Sequence, residues 1–428
     1  MSSVSKILEQ YKNISKEFPL IQEEAIKHFS RLGFPTTKNE EWKYTNISPI
    51  VNKDFSFLIP DSKISKEEIL KRFPFFKDSI YMVTENGKLN SEISGLKNLP
   101  KGIKIKNLRD AKELPLIKQH FNVYVDVQED AFGALNTAFA NEGVVILISK
   151  NAVTEKPIYI VNISSSTGEA VNVYERLLVI AEKNSQSKIL SINISQNDSS
   201  ETFVNSQIEI FADENSSIEF CVLQNENEKS FHINGTHIYQ SASSKFVSNT
   251  ITLGGNIHRN KLHIKLDGLN CETHMHGLYI AGDSQLLDNH TAVYHSQPHC
   301  NSNQLYKGIL AGKAHGVFNG KILVEKDAQK TNAYQSNKNI LLSNDAVINA
   351  KPQLEIFADD VKCTHGATTG QMDDEALFYL RSRGINENNA KALLNLAFAD
   401  DVLNKISDNN FRNFVHVLAE DKLKSILK

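Results

Sequence analysis

The chain has 428 residues, enough for two or three domains or for one elongated domain with appendages. Its 40% hydrophobic and 23% charged content is ordinary for a globular protein, and a net charge of −3 gives no electrostatic case for nucleic acid or an anionic membrane. No apolar run approaches the roughly 20 residues that a bilayer requires, and residues 1–18 lack the apolar core of a signal peptide, so a cytoplasmic protein that is not membrane-bound is expected.

Residues 1–75 read as helical. Ile7, Leu8, Tyr11 and Ile14 lie at helical spacing, and Ile21, Ala25, Ile26 and Phe29 form a second stripe that Gly33 and Pro35 end. The lone tryptophan, Trp42, is expected to anchor this arm by packing. Two short strands follow near 80–83 and 103–105, with Asn86-Gly87 as a turn.

From about 122 to 361 helical periodicity fades. Short β-rich runs (RLLVIAE, QIEIFAD, HGLYIAGD, LEIFADD) alternate with Asn, Asp, Ser and Gly. Two or three apolar residues precede a small one at Ala181, Ala212, Gly254, Ala281, Ala311, Ser343 and Ala358. Their gaps are multiples of a half-period of about 15 residues, which is a solenoid signature. The pattern predicts a mainly β protein with a parallel β-helix-like core, a meandering β-sandwich being the rival. The open ends of such a rod are strand edges that need covers, and helical arms before and after it fit that need.

The tail reads as helical again from about 373. Residues 351–385 are expected to begin as a strand, with Leu354, Ile356 and Ala358 on one face. They pass through a short polar turn carrying Cys363 and His365, and end as a helix capped by Asp373 or Asp374 and stopped by Gly384. A further helix capped by Asn386 is expected to bury Ala390, Leu393, Leu394, Ala397 and Phe398, and a last one Phe411, Phe414, Val415, Leu418, Leu423 and Leu427. These helices either pack on the rod or offer an apolar face to a partner. Three parts result: residues 1–120, an N-terminal helical arm with short strands; 121–362, the solenoid; and 363–428, a C-terminal helical domain.

The chemistry is sparse. The cysteines Cys221, Cys271, Cys300 and Cys363 form no CxxC pair, so reduced thiols are expected. The nearest approach to a P-loop, residues 308–314, is one residue short between its glycines and ends in alanine. No GxSxG elbow, HExxH or dinucleotide fingerprint is present, and the chain is not expected to be an enzyme. A carbohydrate-active β-helix enzyme is the alternative from another class. His274 and His276 beside Cys271, and His295 and His299 beside Cys300, offer nitrogen and sulfur donors that suit zinc, copper or iron. They lack a compact finger spacing, and hydrogen-bonded or surface histidines are the competing reading. At Cys363 and His365 a neighbouring imidazole can raise the thiolate fraction, the form that binds soft metals or attacks sulfur. Two donors are too few for a cluster, so further ligands would come from elsewhere in the chain or from a partner.

Residues 288–385, with PTTKNEEWKYT at 35–45, resemble the SufB/SufD family of iron–sulfur cluster assembly proteins. The modest length and HGAT at 365–368 place the resemblance nearer the SufD branch. It implies a right-handed parallel β-helix flanked by helical domains. It also implies a scaffold subunit, paired through the β-helix with a SufB-like paralogue and through the C-terminal helices with a SufC-like ATPase. Cys363 and His365 fall where the family places interface residues, implying a thiolate ligand or sulfur handler and a ligand or local base. A transient iron–sulfur cluster at the SufB interface is the one cofactor implied. No intrinsic cofactor is expected, while flavin binding and homodimer formation by the isolated chain stay open.

Overall fold

A computed structural model describes residues 3–57, 64–77, 79–97, 99–166 and 168–427. The β region is a solenoid of about eight turns whose successive strands alternate between a ten-stranded and a nine-stranded sheet. Within each sheet a strand pairs in parallel register with the strand one turn earlier. Ala181 sits beside Ala212, and Leu266 beside His295, which in turn sits beside Val324. Equivalent corner residues such as Asn184 and Asn215 are 31 positions apart, so each half-turn takes about 15 residues, as the repeat predicts. Among the described residues antiparallel pairing enters only in the first strands, between Ile80–Glu85 and Lys88–Gly95 and between Ile103–Asn107 and Val144–Ile148. Parallel stacking through the remaining turns removes the sandwich alternative.

Alternation along each strand puts every second side chain into the bore. One column on the nine-stranded sheet runs Ile105, Ile146, Val179, Ile210, Ile238, Ile264, Val293, Ile322, Leu354 in unbroken register. β-Branched residues suit a pleated surface. A fully buried one contributes about 1.5–3 kcal/mol relative to exposure.

One corner explains the polar punctuation. Asn151, Asn184, Asn215, Ser243, Asn270, His299 and Lys330 all adopt φ between 56° and 63°, a left-handed conformation that asparagine tolerates best among residues with a Cβ. Each donates its backbone N–H to a carbonyl of the next turn, at Lys183, Glu214, Ala242, Leu269, Pro298, Gln329 and Asp360 respectively. Asparagine amides stack along the same line, Asn184 to Asn151 and Asn215 to Asn184, both at 2.9 Å.

The arm packs on the outer face of the nine-stranded sheet. Helix Pro19–Leu32 buries Ala25, Ile26 and Phe29 and ends at Gly33, φ 65°. Trp42 stacks near Phe132, centroids 5.2 Å apart, and carries the Arg259 guanidinium 3.9 Å over its ring. It is the packing anchor expected of it. Thr45 donates to Asp288, which also holds Arg259, and Lys351 pairs with Glu40 at 2.7 Å. The segment 35–45 therefore reaches the last strand of the nine-stranded sheet.

Three helices close the chain. Asp373 caps Asp374–Ser382, Asn386 caps Glu387–Leu403 and Asp408 caps Asn409–Ile426. The last two cover the ten-stranded sheet. The buried stripe of Glu387–Leu403 is Ala390, Ala392, Leu396, Ala399, Val402 and Leu403; Leu393, half exposed, and Ala397 face out, correcting the phase read from sequence. Leu394 and Phe398 are only partly buried. Asn409–Ile426 buries Phe411, Val415, Ala419 and Leu423 as its main stripe. Asp374–Ser382 buries nothing and exposes Phe378 at 74% and Tyr379 at 57%. No helix among the described residues is long and apolar enough to cross a membrane.

Candidate functional site at the open end of the solenoid

The expectation of a polar turn around Cys363 and His365 is overturned. Lys362–Gly370 is a strand, the last of the ten-stranded sheet, paired in parallel with Asn332–Leu341. Little in KCTHGATTG favours a strand by burial, since no large aliphatic residue is present. The preceding turn supplies the template, and backbone hydrogen bonding to it decides the conformation. Its register places Cys363 beside Ala333 and His365 beside Gln335.

Both neighbours point into the bore. Ala333 belongs to a buried cluster with Ile322, Val324, Ala328 and Ala358, against which Cys363 packs. Gln335 crosses towards the nine-stranded sheet: a Cβ placed on Gly320 would lie 2.3 Å from its amide nitrogen. Cys363 and His365 therefore share the inner face of the terminal strand, separated by about 6.6 Å of rise. Cys363 is half-buried and His365 is exposed at the mouth. Burial pushes the Cys363 thiol up from its ordinary value, against a smaller lowering by the backbone at Ala333. Burial is the dominant influence on the thiol in the free chain. Beyond His365 the strand is open, with no atom within 4 Å of a Cβ built on Gly366 or Gly370.

Among the described residues no further strand covers this end. Val347–Ile356 and Lys362–Gly370 are the terminal strands of the two sheets. Exposed apolar residues collect beside them: Val347, Ile356, Phe357 at 63%, and Tyr334. Uncovered strand edges beside exposed apolar side chains are features that in general favour pairing with another chain.

The other sequence candidates go elsewhere. His274 Nε2 donates to Glu272 Oε1, 2.5 Å, and His276 Nδ1 to Asn249 Oδ1, 3.0 Å. His295 is buried against Ser302, 2.9 Å, and His299 is an exposed corner residue of the asparagine line. Burial holds His276 and His295 down at about 4. Cys271 and Cys300 occupy successive turns, both Sγ atoms 3.2 Å from the carbonyl oxygen of Gly268, and both are buried free thiols. Among the described residues no group of three or more His, Cys, Asp or Glu side chains is arranged to hold a metal ion. Residues 308–314 run from the end of strand Asn301–Leu310 into a turn that leads to strand His315–Val324, without the helix a phosphate loop requires.

Sequence reasoning missed a ladder beneath His365. Gln335 Nε2 donates to Gln304 Oε1 at 2.9 Å, and Gln304 Nε2 donates to Thr291 Oγ1 at 2.6 Å. Gln304, Gln335 and His365 occupy one column. The 31-residue separation of the two glutamines was the available signal.

Comparison with known proteins adds the family. The model of the SUF system FeS cluster assembly SufBD core domain matches residues 162–398, and that of the SufBD protein N-terminal region matches residues 7–160. An iron–sulfur cluster assembly SufBD family protein of Synechocystis is 32% identical over 88% of this chain and 84% of its own. The iron–sulfur cluster assembly protein SufD of Escherichia coli is 30% identical over 94% and 92%. The chloroplastic protein ABCI7 of Arabidopsis thaliana is 28% identical over 93% and 85%.

Proposed function

This chain belongs to the SufBD family of the SUF iron–sulfur cluster assembly system, and we propose that it is a scaffold subunit bringing Cys363 and His365 to an interface where the nascent cluster forms. Its role in iron–sulfur cluster assembly follows from that membership. The observation that carries the finer reading is the direction of these two side chains, into the bore at the end formed by the last strands. A SufB-like paralogue covers that end and supplies the remaining ligands. A SufC-like ATPase docks on the C-terminal helices, and the apolar face of Asp374–Ser382 supports this. The complex is cytoplasmic, and this chain carries no catalysis of its own.

A soft thiolate and an imidazole suit iron. Burial keeps Cys363 a thiol in the free chain, so metal binding there releases a proton. His365, two residues away on the same face, serves as second ligand or as local base for that proton. Movement of the ATPase subunits on nucleotide binding reshapes the interface and admits iron and sulfur.

The test is co-expression with SufB and SufC partners and purification without oxygen, comparing bound iron and sulfide for wild type, Cys363→Ala and His365→Ala. The complex is expected to form in each case, with cluster content collapsing in the variants. Unchanged content in both would make this chain a purely structural partner.

A further inference from the structure

Gln335 is a buried residue whose amide oxygen has no hydrogen-bond partner. Its nitrogen is committed backwards, to Gln304 on the preceding turn. The two polar atoms of a planar amide diverge, so a nitrogen turned to the preceding turn leaves the oxygen facing away from it, towards the following one. The residue in register there is His365. Adjacent strands lie about 4.8 Å apart, within reach of a ring N–H after side-chain rotation. Gly320 across the bore leaves the room that the amide occupies.

From this geometry we infer that Gln335 is a positioning residue for His365: its Oε1 accepts one ring N–H and so directs the other ring nitrogen, unprotonated, to the open mouth. The inference rests on the proposed role of His365. An orphaned buried carbonyl carries a desolvation cost, which this bond relieves. The chemistry is that of metal-ligating histidines in general, whose second nitrogen donates to a fixed acceptor that sets the tautomer.

The test uses the full chain labelled with ¹⁵N-histidine, the His365 signals being assigned by their loss in His365→Ala. The ring ¹⁵N shifts, read at pH 8, report the tautomer. Wild type is expected to show one dominant tautomer. Gln335→Met, which removes the acceptor, should move the shifts to the mixture of a free imidazole. Gln335→Glu loses the bond to Gln304 but keeps an acceptor and should retain the tautomer. Gln304→Met breaks the same ladder bond from the other side and should also retain it. A mixed tautomer in wild type, or equal shifts in all three glutamine variants, would overturn the inference. In the SufB–SufC complex, Gln335→Met should lower bound iron and sulfide by about tenfold. Loss in His365→Ala with no effect of Gln335→Met defeats the positioning role alone. No effect of His365→Ala defeats the functional reading itself.

Discussion

The hydroxyl of Tyr159 donates to Asp408 Oδ1 at 2.9 Å, across 249 residues of sequence. The same carboxylate oxygen accepts the backbone N–H of Phe411 at 2.8 Å and caps the last helix. One side chain thus joins an early turn of the solenoid to the end of the chain. Asp408→Ala removes the cap and strands a buried hydroxyl, a combined cost of about 2–3 kcal/mol. Amide exchange across Asn409–Ile426 should quicken, while the strands of the nine-stranded sheet keep their protection. Uniform loss of protection, or none, would contradict this local role.

Deleting the whole tail is a poor test of partner docking, because the last two helices cover apolar residues of the ten-stranded sheet, among them Leu190, Leu223, Ile251 and Ile309. Phe378→Asp is cleaner. The side chain is exposed and its helix buries nothing, so the thermal midpoint should hold, with a stability change within about 0.5 kcal/mol. Affinity for the SufC-like ATPase should fall at least tenfold in a titration, a change of about 1.4 kcal/mol. Unchanged affinity would move the docking surface away from this helix.

Acid should weaken the fold through buried histidine before Asp288 titrates. Burial lowers His295 to about 4, whereas the unfolded imidazole titrates near 6.5. The folded state therefore holds the neutral ring. Its contribution is complete above about 6.5 and is lost as pH falls towards 4. At pH 5 the loss from His295 is about 2 kcal/mol. Urea midpoints at pH 7 and pH 5 should diverge for wild type and converge measurably in His295→Asn. Asp288 acts later in the same direction. Burial raises its carboxyl, but the charge of Arg259, with His290, outweighs this and holds it below the usual range.

Much of this was readable in the chain. The half-period near 15 residues marked the solenoid because each turn must place a residue at a corner that only asparagine and its like enter cheaply. The caps Asp373, Asn386 and Gly384 stood at their sites because their chemistry is local. What was misread depends on neighbours distant in sequence. Lys362–Gly370 is a strand because Asn332–Leu341 templates it. Leu393 faces out because the sheet beneath takes Ala392 and Leu396 instead. His295 and His299 look like a pair in sequence, yet one lies in the bore and the other on a corner.

The last two helices are not a tether hanging from the final turn. Lys307 grips Asp401 and the carbonyl of Phe398, Glu219 grips Ser407, and Phe414 wedges against Phe73 and Phe75. A pull on this part of the tail therefore loads the flank of the rod in shear, across many contacts at once. It does not peel the terminal strand away one hydrogen bond at a time. Load taken up there is shared among the stacked turns of the rod, whose last turn carries Cys363 and His365.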